Sequence, residues 1–225
     1  MQQGANTEYY RRLIDSGIPV VFFNRTDDRL DAGKVVIDDY RMAFFAVEHL
    51  IIGRGEPFRT RIMHLRGPES ISNSTLRWQG YCDVLRKYGI EPEGSLVRRC
   101  AEISRQAGYD AMMTALDEGL VPEAVFGFND PLSIGAMKAL KRRGYRIPQD
   151  VAVMGFSESQ SALLVDPPLS SVAQPLDRMG ESAARLLLEK IDDPSAENRT
   201  VVLQADINIR ESSDETKIGQ YIPLP

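Results

Sequence analysis

Short β-rich apolar runs alternate with single helical periods along this 225-residue sequence, and that alternation most constrains its fold. Strands that each need a helix to return the chain are parallel strands of βαβ units, with helices on both sheet faces. Residues 7–16 have helical spacing, with Tyr10, Leu13 and Ile14 on one face and Gly17 as the stop. The run Ile18 to Phe23, bounded by Gly17 and Asn24, predicts a strand covered on both faces. A short strand at Val35–Ile37 precedes a helical stripe of Ala43, Val47, Leu50 and Ile51 that stops at Gly53.

The unit then repeats. Strands are predicted at Ile62–Leu65, Leu96–Cys100, Ala124–Phe128, Val151–Phe156 and Ser170–Ala173. Between them come helices marked by Trp78, Tyr81, Leu85 and Tyr88, by Tyr109, Met112 and Leu116, and by Ile134, Met137 and Leu140. Asp130 reads as the cap of the last of these, with Pro131 in its first turn. A long helix over Leu176 to Ile191 and a final strand or strand pair at Val201–Ile209 follow. Residues 212–225 are polar and Pro-containing and read as a loose tail. The pattern as a whole is α/β with open parallel sheet.

Composition removes several function classes. A net charge of −5 gives no general footprint for a phosphate backbone, so this chain alone is not expected to grip DNA. No run of 18 or more apolar residues exists, so no membrane partner is expected. The polar start MQQGANTEYYRRL has no signal-peptide character, which points to the cytoplasm. Cys82 and Cys100 read as reduced thiols, and His49 and His64, unclustered, as structural residues. No phosphate loop, metal motif or nucleophile elbow is present, so neither an enzyme nor a cofactor or metal is expected.

Ligand chemistry is expected at strand ends, because open α/β sheets bind in the crevice beyond the strands' carboxyl ends. Three runs end there in polar groups, at Asn24-Arg25, Asn129-Asp130 and Ser157-Glu158. Such groups suit a hydroxyl-rich small molecule, although each residue type is also common in caps and turns. Arg77 begins a helix behind Ser70, Ser72, Asn73 and Ser74, where a guanidinium fork and free N–H groups would meet a ligand.

Taken in order, these segments resemble one family. Ile18-Pro-Val-Val-Phe-Phe-Asn-Arg25 is similar to a "GIPVV…DR" strand, and Ile37-Asp-Asp through Glu48-His49-Leu50 to a "D…EHL" helix. Arg77-Trp-Gln-Gly-Tyr81 resembles "RxxGY", and Phe128-Asn-Asp130 with Gly135-Ala136 resembles "FAxNDxxAxGA". Ile147-Pro-Gln-Asp-Val151 through Gly155-Phe156, Pro168 through Pro175, and Ile209-Arg-Glu-Ser-Ser213 match "VPxDVxVxGFDD", "PxLTTVxQP" and "xRESS". The chain is thereby identified as a member of the lactose-repressor (LacI/GalR) family of transcription regulators, over residues 9 to 213 or so.

The resemblance implies a periplasmic-binding-protein-like fold: two doubly wound parallel-sheet lobes, the N-terminal one incomplete. Residues 1–38 and 174–203 would form the N-terminal lobe, 39–173 and 204–213 the C-terminal effector-binding lobe, and 214–225 a tail. It implies a sugar-like effector held between the lobes by Arg77, Asn24, Asn129, Ser157 and Asn73, with Ile103 as an apolar wall. DNA would be bound only through a headpiece lying outside this sequence, and the expected assembly is a homodimer. A periplasmic sugar-binding protein of a transporter is the alternative on the same fold. Ser157 and Asn24 stand where the family often has aspartates, which favours an acidic sugar or one read by amides and hydroxyls. Open edges are expected on the incomplete sheet, with partner pairing or local disorder there.

Overall fold

A computed structural model of the chain describes residues 6–219. In chain order its elements are α1 (Thr7–Asp15), β1 (Val21–Phe23), β2 (Gly33–Ile37), α2 (Asp39–Ile52), β3 (Ile62–Arg66), α3 (Ser72–Lys87), β4 (Val97–Arg99) and α4 (Arg105–Asp117). They continue as β5 (Ala124–Gly127), α5 (Asp130–Arg142), β6 (Ala152–Phe156), α6 (Gln160–Leu164), β7 (Ser170–Ala173), α7 (Leu176–Asp192), β8 (Thr200–Leu203) and β9 (Asp206–Asn208). The strands form two sheets, one of order β1-β2-β8 and one of order β4-β3-β5-β6-β7-β9. All pairings are parallel except β7 with β9, which run antiparallel with Val172 opposite Ile207.

The larger sheet is doubly wound, as the strand–helix alternation requires. Alternate residues of its central strands face opposite ways. Ile62, Phe126, Met154 and Val172 join Val47, Leu50 and Ile51 of α2 and Tyr81 and Leu85 of α3 in one core. Met63, Leu65, Val125 and Val153 join Met112 of α4 and Leu132, Met137 and Leu140 of α5 in the other. Leu50, Ile51, Met63 and Leu65 are completely buried, each worth about 1.5–3 kcal/mol of transfer free energy. Two glycines set helix spacing. A Cβ on Gly80 would strike the Tyr40 carbonyl across the α2–α3 seam, and one on Gly135 the Arg105 carbonyl across α4–α5.

The three-stranded sheet is covered on one side by α7, through Met179 and Leu186. On the other, Tyr10 and Ile14 of α1 cover Phe22, with the Tyr10 and Phe22 rings edge-to-face at 5.4 Å. The expected two-sided burial of Ile18 to Phe23 is not found. Only Val21–Phe23 is strand, Phe22 is buried, and Ile18 and Phe23 are 50% and 57% exposed. The reason is position: β1 is an edge strand, so its apolar run meets cover only in part. The outer strand β8 likewise leaves Val202 60% exposed. Both edges of this sheet are open among the described residues, as expected.

The expected strand at Leu96–Cys100 is shorter, because Gly94–Leu96 forms a 3-10 turn first. Val201–Ile209 is a strand pair, divided between the sheets by Gln204 and Ala205. The loose tail needs a larger correction. Ser212 and Ser213 are fully buried, and Ser212 exchanges bonds with Val153 of β6 through both its carbonyl (2.7 Å) and its hydroxyl (2.7 Å). Ser212 thereby adds a backbone rung beside β6, while the Ser213 hydroxyl donates to Ser170 Oγ of β7 at 2.7 Å, placements that polarity alone does not reveal. Residues 220–225 of the expected tail lie outside the described residues.

Candidate functional site

A cleft of about 460 Å³ opens where the ends of β1 and β2 meet the start of α3. Asn24 and Thr26 line it from the small sheet, Asp39 from α2, and Ser72, Asn73 and Gln79 from α3. The Thr26 amide donates to Ser72 Oγ at 3.0 Å and so ties the two sides together. Asn24 occupies the left-handed region at φ 61°, a conformation asparagine tolerates better than most residues. That turn presents Asn24 Oδ1 to Asn73 Nδ2 (3.3 Å) and to Gln174 Nε2 (3.4 Å). Asn73 is 3% exposed, and its Oδ1 is buried without a hydrogen-bond partner. An unfilled buried acceptor beside a cleft is a place where a ligand hydroxyl would be gained rather than merely tolerated.

One turn along α3, Arg77 is 2% exposed and held on every side. Its Nε donates to Asp39 Oδ1 at 2.7 Å, Nη2 pairs with the same oxygen at 2.6 Å, and Nη1 donates to the Phe128 carbonyl at 2.5 Å. Its guanidinium carbon lies 3.5 Å from the Phe156 ring centre and 4.6 Å from that of Phe128. Burial pushes the Asp39 carboxyl above the ordinary carboxylate range, and the Arg77 charge opposes that rise. Arg77 thus stands behind the cleft, gripping the Asp39 that lines it. The Gly80 contact explains the spacing of "RxxGY": one turn after the arginine, α3 must touch α2 closely enough to bring Arg77 onto Asp39.

The strand-end residues of the large sheet form a second group. Asn129, not Asp130, caps α5, its Oδ1 accepting from the Leu132 amide at 3.1 Å. Asp130 is instead fully buried and turned to the neighbouring strands, accepting from Ser171 Oγ at 2.6 Å and from the Ser159 amide at 2.5 Å. Adjacent Asn and Asp can both cap; the hydroxyl waiting on β7 decides between them. Burial raises the Asp130 carboxyl above its usual value, and the bonds from Ser171 and Ser159 pull it back. Ser157 holds φ 107° and Glu158 φ 56°, with the Ser157 amide donating to the Val172 carbonyl at 2.9 Å. Non-glycine backbone held there costs about 1–3 kcal/mol and concentrates at functional sites. Glu158 is pinned by an ion pair with Arg210.

Of the six residues expected to hold a ligand, Asn24 and Asn73 therefore meet directly, and Arg77 stands behind them through Asp39. Asn129 follows the carbonyl that Arg77 grips, and Ser157 lies at the end of β6. Ile103 packs against the α4–α5 core and makes no described contact with the other five. Asp39 and Gln174 were missed as site residues; the only sequence signal was the acidic pair Asp38-Asp39 and the "QP" match, neither of which says which side chain turns inward.

The histidines and cysteines lie outside the cleft lining. His64 is completely buried, stacked on Trp78 and Tyr81, with its Nδ1 against the Phe126 carbonyl at 3.0 Å. His49 at the end of α2 meets Ser213 Oγ at 2.9 Å. Cys82 and Cys100 are buried, free thiols pushed up to about 11 by desolvation. Among the described residues no cluster of three His, Cys, Asp or Glu could hold a metal, and no helix is long and apolar enough to cross a membrane.

A family described as periplasmic binding protein-like domain matches residues 52–213. The chain is 32% identical over 195 residues to the HTH-type transcriptional repressor CytR of Escherichia coli K12, covering 87% of this chain and 56% of CytR. It is 32% identical over 202 residues to the HTH-type transcriptional regulator CelR of Thermobifida fusca, covering 89% and 58%. Among solved structures, a CelR–cellobiose complex superposes with TM-score 0.85 at 30% identity, covering 94% of this chain and 63% of that one. The regulator CcpA of Lactococcus lactis gives 0.83 at 26%, covering 94% and 76%. The chain thus spans little more than half the length of these curated relatives.

Proposed function

The chain belongs to the periplasmic binding protein-like domain family in the form carried by LacI-type transcription regulators, and from that premise we propose that it is the effector-sensing part of such a regulator. The observation that carries the reading is the cleft between the two sheets, with Asn24 and Asn73 at its wall and an unfilled Asn73 Oδ1. Amides and the Asp39 carboxylate offer fixed donors and acceptors to a polyhydroxyl ligand, so a sugar or sugar derivative is the expected class. The cellobiose held by CelR supports that class.

In this reading residues 1–38 and 174–203 form one lobe, and 39–173 with 204–213 the other. The chain crosses between the sheets after β2, after β7 and between β8 and β9, so a ligand touching both lobes would bias their closure. The shift it can cause is limited by its differential affinity for open and closed states. Asn129, Ser157 and Ile103 belong to the same lobe as Asn73 and Arg77 and would meet the ligand from that side, with Asn24 opposite. Arg77 releases the Phe128 carbonyl to reach ligand oxygens while keeping Asp39. The domain binds and does not catalyse; it acts in the cytoplasm as a homodimer, and operator contacts belong to a separate headpiece. A transporter's periplasmic binder is disfavoured, because CytR and CelR, its relatives over most of its length, are regulators.

Thermal unfolding against neutral sugars, sugar acids and nucleosides tests the reading. A ligand at about 100 times its dissociation constant stabilises the fold by about 2.7 kcal/mol. Asn73→Ala should remove that shift; a shift that survives the substitution places the ligand elsewhere and rejects this cleft.

A further inference from the structure

On the outer edge of the large sheet, away from the cleft, a cavity of about 510 Å³ is lined by Arg66, Trp78, Val97, Arg98, Arg99 and Ala111, among others. Its polar side is unusual. Arg66 is 7% exposed, yet its guanidinium donates no hydrogen bond within the described residues, and its Nε is buried without a partner. Its one polar neighbour is Glu69 Oε1, 3.2 Å from Nη1, and that same oxygen is 2.8 Å from Arg99 Nη1. One carboxylate, itself 57% exposed, serves two guanidiniums. Arg98 pairs with Glu118, but its Nε too is buried and unpartnered.

Edge-strand protection explains part of this. Charged residues on an outer strand discourage pairing with another chain, and Arg98 and Arg99 lie on β4, the outermost strand. Arg66 lies on β3, inside the sheet, where that argument gives it no role. A buried arginine without hydrogen bonds is costly, and the cost is recovered only when an anion arrives. Three guanidiniums face two carboxylates here, and turning the exposed Glu69 out to water leaves room for a doubly charged oxyanion. Beside the charges, Trp78, Val97 and Ala111 supply an apolar wall. The indole is set by stacking on His64 at 6.0 Å and by the Arg66 guanidinium 5.2 Å from its ring centre.

We propose that the Arg66–Arg99–Trp78 cavity at the edge of the six-stranded sheet is a second ligand site, taking a ring-bearing phosphate monoester whose phosphate displaces Glu69 from Arg66 and Arg99. The inference does not rest on the effector reading, since the cavity shares no lining residue with the cleft. A phosphate monoester carries about −1.5 to −2 charges at pH 7 and three acceptor oxygens, which match two guanidinium forks where a single carboxylate satisfies neither.

Trp78 is the only tryptophan in the sequence, so its emission reports on this cavity alone. The test titrates the full chain with phenyl phosphate, following Trp78 fluorescence and heat by calorimetry, with inorganic phosphate and phenol as partial probes. The expected result is saturable binding at one site per chain, tighter for phenyl phosphate than for either part. Affinity should fall at least about 10-fold in Arg66→Met, fall less in Arg66→Lys, rise several-fold in Glu69→Gln, and stay unchanged in Asn73→Ala. The unfolding midpoint of each variant shows that it is folded, and Arg66→Lys keeps the charge if Arg66→Met does not fold. No saturable change in the unaltered chain overturns the proposal. So does undiminished affinity in both Arg66 variants, weaker binding in Glu69→Gln, or loss in Asn73→Ala, which would move the phosphate to the cleft.

Discussion

Arg77 and Arg66 are both interior arginines of the same half of the molecule, 2% and 7% exposed, and their surroundings could hardly differ more. Arg77 has a carboxylate, a backbone carbonyl and two aromatic faces within reach, while Arg66 has a shared carboxylate and one indole. Burial of a charge is therefore not one kind of evidence. A saturated buried charge is structural or poised, held in place by its own partners. An unsaturated one marks where something outside the chain belongs.

Replacing the saturated arginine, Arg77, should have the greatest consequence for stability. Arg77→Met leaves the Asp39 carboxylate buried and unpaired, and should cost about 3–5 kcal/mol in urea unfolding. The double variant Arg77→Met with Asp39→Leu should recover most of that loss, because apolar replacement of a whole buried pair is often neutral. A double variant no more stable than the single would show that Arg77 contributes mainly through Phe128 and Phe156.

Next in size is the other buried carboxylate at the strand ends. Ser171→Ala removes a 2.6 Å bond to Asp130 and the acceptor of the Glu158 amide, so a loss of about 1.5–3 kcal/mol is expected by the same assay. An unchanged midpoint would mean that the Ser159 amide suffices to hold Asp130.

The histidine stacked behind Trp78 makes stability depend on pH. Desolvation depresses His64 to about 3, below the 6.5 of an unfolded histidine, so in that window the unfolded chain binds the proton first. Stability is accordingly intact above about pH 6.5 and falls as pH drops toward 3, by about 2 kcal/mol at pH 5 at 1.36 kcal/mol per pH unit. His64→Phe keeps a stacking ring and should flatten most of that slope near pH 5, the remainder coming from His49, which burial also depresses, and nearer pH 3 from Asp27 and Asp150, which their arginine partners hold low. A slope unaltered in His64→Phe would assign acid sensitivity to other groups.

The smallest effect is the most telling. Without ligand, Arg66→Met should lower stability by less than about 1 kcal/mol or raise it, since it removes a buried charge that the chain compensates only in part. A loss as large as that of Arg77→Met would end the contrast between the two arginines.

The sequence carried the periods that define the elements. The stripe Ala43, Val47, Leu50 and Ile51 is entirely buried in α2, and β3, β5, β6 and β7 start and stop within about one residue of the apolar runs that predict them. Its reach ended where one local pattern suits two environments. Ile18 to Phe23 is as apolar as an interior strand but lies on an edge, and Ser212 and Ser213 are as polar as a tail but pair with the large sheet. At the site it pointed to Asn24 after β1 and to Asn73 and Arg77 on α3, but could say neither that the two asparagines share a hydrogen bond nor that Arg77 turns to Asp39.

Hydrophobic period and ordered motifs are written along the chain, and they suffice for the alternation of strands and helices, the helix-covered faces of the larger sheet and the family. Packing in three dimensions is what settles which of Asn129 and Asp130 caps, which arginine is satisfied, and which carboxylate serves two guanidiniums. Those outcomes turn on partners such as Asp39, Ser171 and Arg99, about 30 or more residues from the groups they meet, whose direction of approach is set by how α2, α3 and the strands pack, and no local spacing encodes it.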